Sequence, residues 1–452
     1  MSTERRTILR HAATVLAGQL AVMAFGVTDT IVAGRHAEAS LAALSIGSAI
    51  FVSVYVALMG LLQALLPVWA EQRGAQNSAR IGASVRQALY VCAIAALLGM
   101  SILLSPGKLL EWTDVPPELR PAVTGYLAIL AMALPPALLF RLYTTLNQAL
   151  GHPQLVTWLQ VAALFVKLPL SVWFTFGGAG LPSLGVQGCA WATLAVNLTL
   201  LALGLWLLRN QKQLYAPLHL WRRPERPDWP QLATFARLGI PAGLAIGVEV
   251  TSFTLMALFI ARQGTLASAG HQIASNLGAV LYMVPLSIAI AASARVSFWR
   301  GAGDEARARA VVWTALKLST LMSLALAATL FSTKEAFAAI YSNQADVVRM
   351  SAGLLGWVAL YHLADALQTL CVFILRCYRI TVWPLVVYCL LLWGVGLGGG
   401  YWLAYHGVGP WPAAHSPLSF WQTSTLALAV TASIFAWMLH RVTKPSHPAP
   451  TL

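Results

Sequence analysis

Twelve apolar stretches, each long enough to cross a bilayer, constrain this chain more than any other feature. A hydrocarbon core about 30 Å thick needs about 20 apolar residues in a helix rising ~1.5 Å per residue. Such segments run over residues 12–33, 44–69, 84–105, 122–149, 154–176, 186–208, 236–261, 269–294, 310–332, 350–375, 382–404 and 418–439. In lipid, backbone N–H and C=O groups must be satisfied internally, so only helices and closed barrels span. Runs of this length specify helices. Composition agrees: 58% of the 452 residues are hydrophobic and 10% are charged, against about 25% charged in a soluble domain. The chain is expected to be an all-α polytopic protein whose first partner is the lipid bilayer. Its first segment is too long for a signal-peptide core and lacks a cleavage site followed by a soluble domain, so it reads as a retained span.

The net charge is +14. Nucleic acid is excluded as a partner because the basic residues lie between apolar runs, not on one amphipathic face. Their distribution instead sets orientation. With the N-terminus inside, twenty of the 29 lysines and arginines fall on the inner side and six on the outer. The remaining three lie well inside segments: Arg141, Lys167 and Lys317. The positive-inside rule then places both termini in the cytoplasm. Arg141 and Lys317 sit near inner ends and are expected to snorkel along their stems.

The longest inner loop, "RNQKQLYAPLHLWRRPERPDWPQ", follows the sixth segment. It divides the chain into a six-helix lobe over 1–208, a basic linker over 209–235, a second six-helix lobe over 236–440 and a tail over 441–452. The halves also echo each other. "AEQRGAQNSAR" at 70–80 follows segment two and "SFWRGAGDEAR" at 297–307 follows segment eight, 227 residues apart. Six spans per half is an even number, so both halves insert the same way up. They are expected to be pseudo-symmetric parallel repeats, with a binding site where they meet. Pro67, Pro135, Pro136, Pro169, Pro241 and Pro285 are candidate kinks. Cys92, Cys189, Cys371, Cys377 and Cys389 lie in or at the ends of apolar runs without C-x-x-C spacing. They read as small buried side chains and imply neither a disulfide nor a metal site.

Three of the fifteen acidic residues lie inside apolar runs: Asp29, Glu249 and Asp365. A carboxylate there costs several kcal/mol unless it is partnered or protonated, which makes each a functional candidate. In "YHLADALQ", Tyr361 and Asp365 are spaced i,i+4 and Asp365 and Gln368 i,i+3, so all three share a helix face. A phenol, a carboxyl and an amide suit a proton or a small hard cation. For sodium, Tyr361, Glu249 and Asp365 would supply three oxygens. Gln272 and Asn276 in "GHQIASN" are i,i+4 partners that either line a cavity or hold helices together.

These residues resemble the multidrug and toxic compound extrusion (MATE) transporters, in the NorM-type branch. "GVTDTIVAG" resembles the D-T-x-x-x-G signature and identifies Asp29 as the helix-one acid. The run from Val248 to Val296 resembles helices seven and eight and identifies Glu249 as the helix-seven acid. "LYHLADALQ" resembles helix ten and identifies Asp365 as the cation-site acid, with Tyr361 beside it. "LFVKLPLSVWFTFG" resembles helix five. The resemblance implies an antiporter in a bacterial inner membrane that exports amphipathic, often cationic organic compounds by alternating access, coupled to H⁺ or Na⁺. It implies no cofactor and a pathway contained in one chain. The chain departs from the family in helix five, where N-x-P-x-N becomes Lys167-x-Pro169-x-Ser171. If the helices pack as in the family, Lys167 and Ser171 face the cavity of Asp29, and the ammonium pairs with that carboxylate. Coupling would then fall mainly on Glu249 and Asp365.

A flippase for lipid-linked precursors is the rival reading within related folds. It would call for arginines around a pyrophosphate, where this candidate cavity is acidic and polar. A membrane-embedded enzyme would need a catalytic constellation, but the sequence has no H-E-x-x-H, no intramembrane Asp pair at G-x-G-D spacing and no nucleotide-binding loop.

Overall fold

A computed structural model describes residues 2–112, 115–178, 180–223, 225–407 and 412–444. The last eight residues of the tail read over 441–452 lie outside it. Among the described residues, twelve helices are long and apolar enough to cross a membrane: α1 (Glu4–His36), α2 (Glu38–Gly74), α3 (Ser78–Leu104), α4 (Arg120–Ala149), α5 (Pro153–Phe176), α6 (Val186–Asn210), α7 (Trp229–Ala261), α8 (Thr265–Gly301), α9 (Glu305–Tyr341), α10 (Ala345–Cys377), α11 (Val382–Tyr405) and α12 (Leu418–Thr443).

Several helices outrun the apolar segments that specify them. At ~1.5 Å per residue the 37-residue α8 is some 55 Å long, well beyond a ~30 Å hydrocarbon core. Their ends therefore carry basic residues that hydropathy assigns to loops: Arg86 lies in α3, Arg295 and Arg300 in α8, and Arg376 in α10. The proline expectation is met as a break at one place. α2 is interrupted at Ala64–Leu65 and resumes with Pro67 in its first turn, where a missing N–H costs least. The other five prolines sit inside continuous helices. α9 bends at Thr333 (φ −116°, ψ 16°) without a proline, and α11, which carries Pro384 in its first turn, widens into π-helical turns over Cys389–Gly398.

The chain forms two compact units. One is Ala13–Gly247; the other combines Met1–Ala12 with Val248–Leu452. The boundaries fall inside α1 and α7, so each of these helices contributes to both units. For α7 the cause is a stripe of Gly239, Gly243 and Gly247, four residues apart on one face. A methyl at 239 would lie 2.8 Å from the Leu61 carbonyl oxygen, and one at 243 only 2.5 Å from that of Ala57. Small residues at this spacing let helix backbones approach closely in a membrane, and they hold the first half of α7 on α2. For α1 the anchor is ionic. Glu4 accepts two hydrogen bonds from Arg295 (2.5 and 3.1 Å) and one from the Trp299 indole (3.2 Å).

The repeat seen in sequence recurs as geometry, with the turn residues matched at the 227 offset. Asn77 caps α3 by accepting from Arg80 N (3.1 Å), and Asp304 caps α9 by accepting from Arg307 N (2.8 Å). Gln76 (φ 55°) and Gly303 (φ 78°) hold the same left-handed turn. Arg73 Nη1 reaches the C-terminal carbonyl of Ala149 in α4, and Arg300 Nη1 reaches that of Cys377 in α10. The R-G-A motif thus turns the chain and supplies a cation to the helix that forms each unit's centre. Burial marks α4 and α10 as those centres: 67% and 78% of their apolar windows are buried.

The basic loop after α6 is folded onto its own unit. Lys212–Tyr215 is helical and Ala216–Leu218 forms a 3-10 turn. Tyr215 donates to Asn147 (2.6 Å), and Arg86 donates to the His219 carbonyl (2.7 Å) and pairs with Glu225 (2.5 Å). Gln87 bonds Arg226 O and Asp228 N, and Tyr90 donates to Glu225 O.

Candidate functional site

The three intramembrane carboxyls occupy two clusters, one in each unit. In the first, Asp29 comes from α1, Lys167 and Ser171 from α5, and Cys189 and Thr193 from α6. Lys167 and Ser171 are i,i+4 on one face of α5, as are Cys189 and Thr193 on α6. The Lys167 Nζ lies 2.8 Å from Asp29 Oδ1. It also donates to Thr193 Oγ1 (2.6 Å) and the Cys189 carbonyl (3.1 Å). An ammonium has three N–H donors, so every one is matched. Asp29 Oδ1 further accepts from Ser171 (3.0 Å), and Oδ2 from Thr193 (3.5 Å). Lys167 is 1% exposed and Ser171 fully buried. Snorkelling is therefore not what this lysine does: its charge stays inside, opposite Asp29.

The second cluster centres on α10. Asp365 Oδ1 accepts from Gln368 Nε2 (2.9 Å) and from Thr369 Oγ1 (3.5 Å). Gln368 Nε2 also donates to Thr369 (3.0 Å), while its Oε1 accepts from the Tyr388 hydroxyl of α11. Tyr388 thereby fixes which end of the amide faces Asp365. Glu249 of α7 is within Coulombic reach of Asp365 and of Arg376. Arg376 is buried in the last turn of α10, lies over Phe373 at 4.5 Å, and its Nη1 has no hydrogen-bond partner among the described residues. The cluster thus holds two carboxyls, Glu249 and Asp365, and one buried guanidinium, Arg376, which interacts with Glu249.

Tyr361, one turn from Asp365, belongs to an aromatic cluster. Its ring lies 5.8 Å from Phe253 and 5.7 Å from Trp421, with His271 a further 5.8 Å from Trp421. Gln272 and Asn276 pair with each other at 3.3 Å on an exposed face of α8, outside the Asp365 network. Arg141, expected to snorkel, is 6% exposed, and its Nε has no hydrogen-bond partner among the described residues.

The sequence reading did not single out Thr193, Cys189, Thr369, Tyr388 or Arg376. Hydroxyls are common in membrane helices, and Arg376 sits at the edge of an apolar run where composition assigns it to a loop. The one available signal was i,i+4 spacing: Asp365 to Thr369, and Cys189 to Thr193.

Twelve spanning helices in two repeat units, each with a buried carboxyl cluster, define a multi-pass membrane transporter rather than an enzyme. The MatE family pattern matches residues 15–173 and 241–402, and the chain belongs to that family. It is 36% identical over 440 residues to a "Probable multidrug resistance protein NorM" of Aromatoleum aromaticum, covering 96% of this chain and 94% of that one. It is 30% identical over 431 residues to "Multidrug resistance protein MdtK" of Yersinia pseudotuberculosis, covering 95% and 93%. The fold matches the crystal structure of the eukaryotic MATE transporter AtDTX14 (TM-score 0.85, 20% identity, 97% and 96% covered). It also matches the Vibrio cholerae MATE transporter VcmN in its bent form (TM-score 0.84, 17% identity, 98% and 97% covered).

Proposed function

We propose that this chain is a multidrug efflux antiporter of a bacterial inner membrane. It exchanges amphipathic, often cationic organic compounds for H⁺ or Na⁺, with both termini in the cytoplasm and the pathway within one chain. The names of its relatives, which read multidrug resistance, support export of several drugs. The observation that carries the coupling is the contrast between its two buried carboxyl clusters. Asp29 faces an ammonium at 2.8 Å and makes a neutral pair. Asp365 faces an amide and a hydroxyl, which orient it without cancelling its charge. With both carboxyls of the second cluster ionised and Arg376 protonated, that cluster carries one negative charge in excess. A proton, a sodium ion or a cationic substrate can each supply the missing charge.

Competition for that charge gives exchange. Entry of the coupling ion at Glu249 and Asp365 removes the attraction for a cationic substrate and favours its release. One charge crossing 100 mV supplies about 2.3 kcal/mol, enough for a concentration ratio near fifty.

Ethidium efflux from everted vesicles tests the reading, with proton and sodium gradients imposed separately on wild type, Glu249→Gln and Asp365→Asn. Wild type is expected to respond to one gradient, and both variants to lose that response at normal expression. Gradient-driven efflux unchanged in both variants would refute the coupling assignment. A wild type that moves no organic cation but scrambles lipid-linked pyrophosphates would replace the reading with a flippase.

A further inference from the structure

The Ala13–Gly247 unit carries a groove that the transport reading does not use. It lies between α3, α4 and α6 at the ends nearest the basic loop. Leu142, Leu146, Gly204 and Leu205 line an apolar cavity of about 170 Å³, roofed by Leu220 and Trp221. The glycine is what opens it: at 204 a side chain would point between α6 and the rings of Tyr143 and Phe140. The wall is not sealed, since Leu89 and Leu205 are 42% and 43% exposed on membrane-spanning helices. An apolar groove open at membrane depth is filled by hydrocarbon.

A second cavity, about 410 Å³, adjoins the first and shares Leu208, Leu220 and Trp221 with it. Its lining adds four basic side chains to apolar ones: Arg209, Lys212, His219 and Arg222. All four are exposed. Nearby acids are already engaged. Glu225 pairs with Arg86, and Asp228 accepts from Gln231 N at the start of α7. Arg209, Lys212 and Arg222 therefore form a patch of three cations with no acidic partner among the described residues. The loop that presents them is pinned by Arg86 and Tyr215, so the patch is built rather than improvised.

We propose that this composite groove binds an anionic phospholipid, with one acyl chain along α4 and α6 and the phosphate among Arg209, Lys212 and Arg222. Charge complementarity and continuity of the two cavities identify the occupant: hydrocarbon at one end, a negative headgroup at the other. Basic pockets beside spanning helices at the inner membrane face recognise anionic headgroups on this principle. Trp221, 61% exposed where the two cavities meet, occupies the depth that tryptophan favours at membrane interfaces. The lipid would brace the loop that joins α6 to α7.

The full-length protein, purified in detergent, tests this by native mass spectrometry with phosphatidylglycerol or phosphatidylcholine of matched chains. Wild type is expected to retain phosphatidylglycerol preferentially. An Arg209→Gln/Lys212→Gln/Arg222→Gln variant should lose at least tenfold of that preference, since each basic side chain near an anionic surface contributes about fivefold. Gly204→Leu, which fills the apolar end and leaves the charges, should weaken both lipids. If the triple variant does not fold, the Gly204 variant decides. Equal retention of the two lipids by wild type would overturn the proposal. So would full preference in the charge variant, or displacement of the lipid by millimolar inorganic phosphate, which would mark a site for a free anion.

Discussion

Removing Lys167 alone should damage this protein more than removing Lys167 together with Asp29. The ammonium is fully buried and matched to three acceptors, one of them a carboxylate at 2.8 Å. Breaking a buried pair by deleting one partner costs about 3–5 kcal/mol, because the other charge is left uncompensated. Lys167→Met strands Asp29 with two hydroxyl donors, Ser171 and Thr193. Asp29→Asn strands the ammonium. Replacing both removes both charges, which is often close to neutral. The coupling energy should therefore be at least ~2 kcal/mol and of stabilising sign. For a unit of 150–250 residues, 3–5 kcal/mol corresponds to roughly 6–20 °C in Tm. Thermal unfolding of the four proteins in one detergent measures this, with the single variants expected well below wild type and the double variant recovering most of the loss. A double variant that falls by the sum of the singles would refute the ion-pair argument.

Tyr388→Phe should free the Gln368 amide to turn and weaken the coupling ion's affinity by roughly 5- to 100-fold, in line with a lost buried hydrogen bond of ~1–3 kcal/mol; ion-concentration dependence of efflux measures it. Gly82→Ala would put a methyl onto the Leu218 carbonyl, so the loop after α6 should lift and its Arg222–Arg223 bond become several-fold more sensitive to trypsin. Asn77→Ala and Asp304→Ala remove matched caps in the two repeats and should cost similar amounts, about 0.5–2 kcal/mol each, seen as equal falls in Tm.

The twelve spans and the repeat were legible because hydropathy and the R-G-A turn are local signals. Lys167 opposite Asp29 was legible only through the family pattern, since nothing in the spacing of α1 and α5 brings residues 29 and 167 together. The ends of helices were not legible. Arg86, Arg295, Arg300 and Arg376 sit where apolar character stops but the helix continues, because α3, α8 and α10 extend past hydrocarbon. The division of α7 between two units was written in Gly239, Gly243 and Gly247, whose spacing is a helix-packing signal that a count of apolar residues treats as neutral. The linker reading of residues 209–235 understated a segment that Arg86, Gln87 and Tyr90 hold against α3; polar side chains on an apolar helix carried that information.

The central claim is that charge exchange resides in the Glu249–Asp365 cluster while Asp29 is neutralised by Lys167. Substrate-driven uptake of the coupling ion, measured with the purified protein in liposomes, tests it most directly in Asp365→Asn against the Asp29→Asn/Lys167→Asn double variant. The account predicts that Asp365→Asn abolishes ion movement and that the double variant retains it. Persistence in Asp365→Asn with loss in the double variant would contradict the account and place the exchange at Asp29.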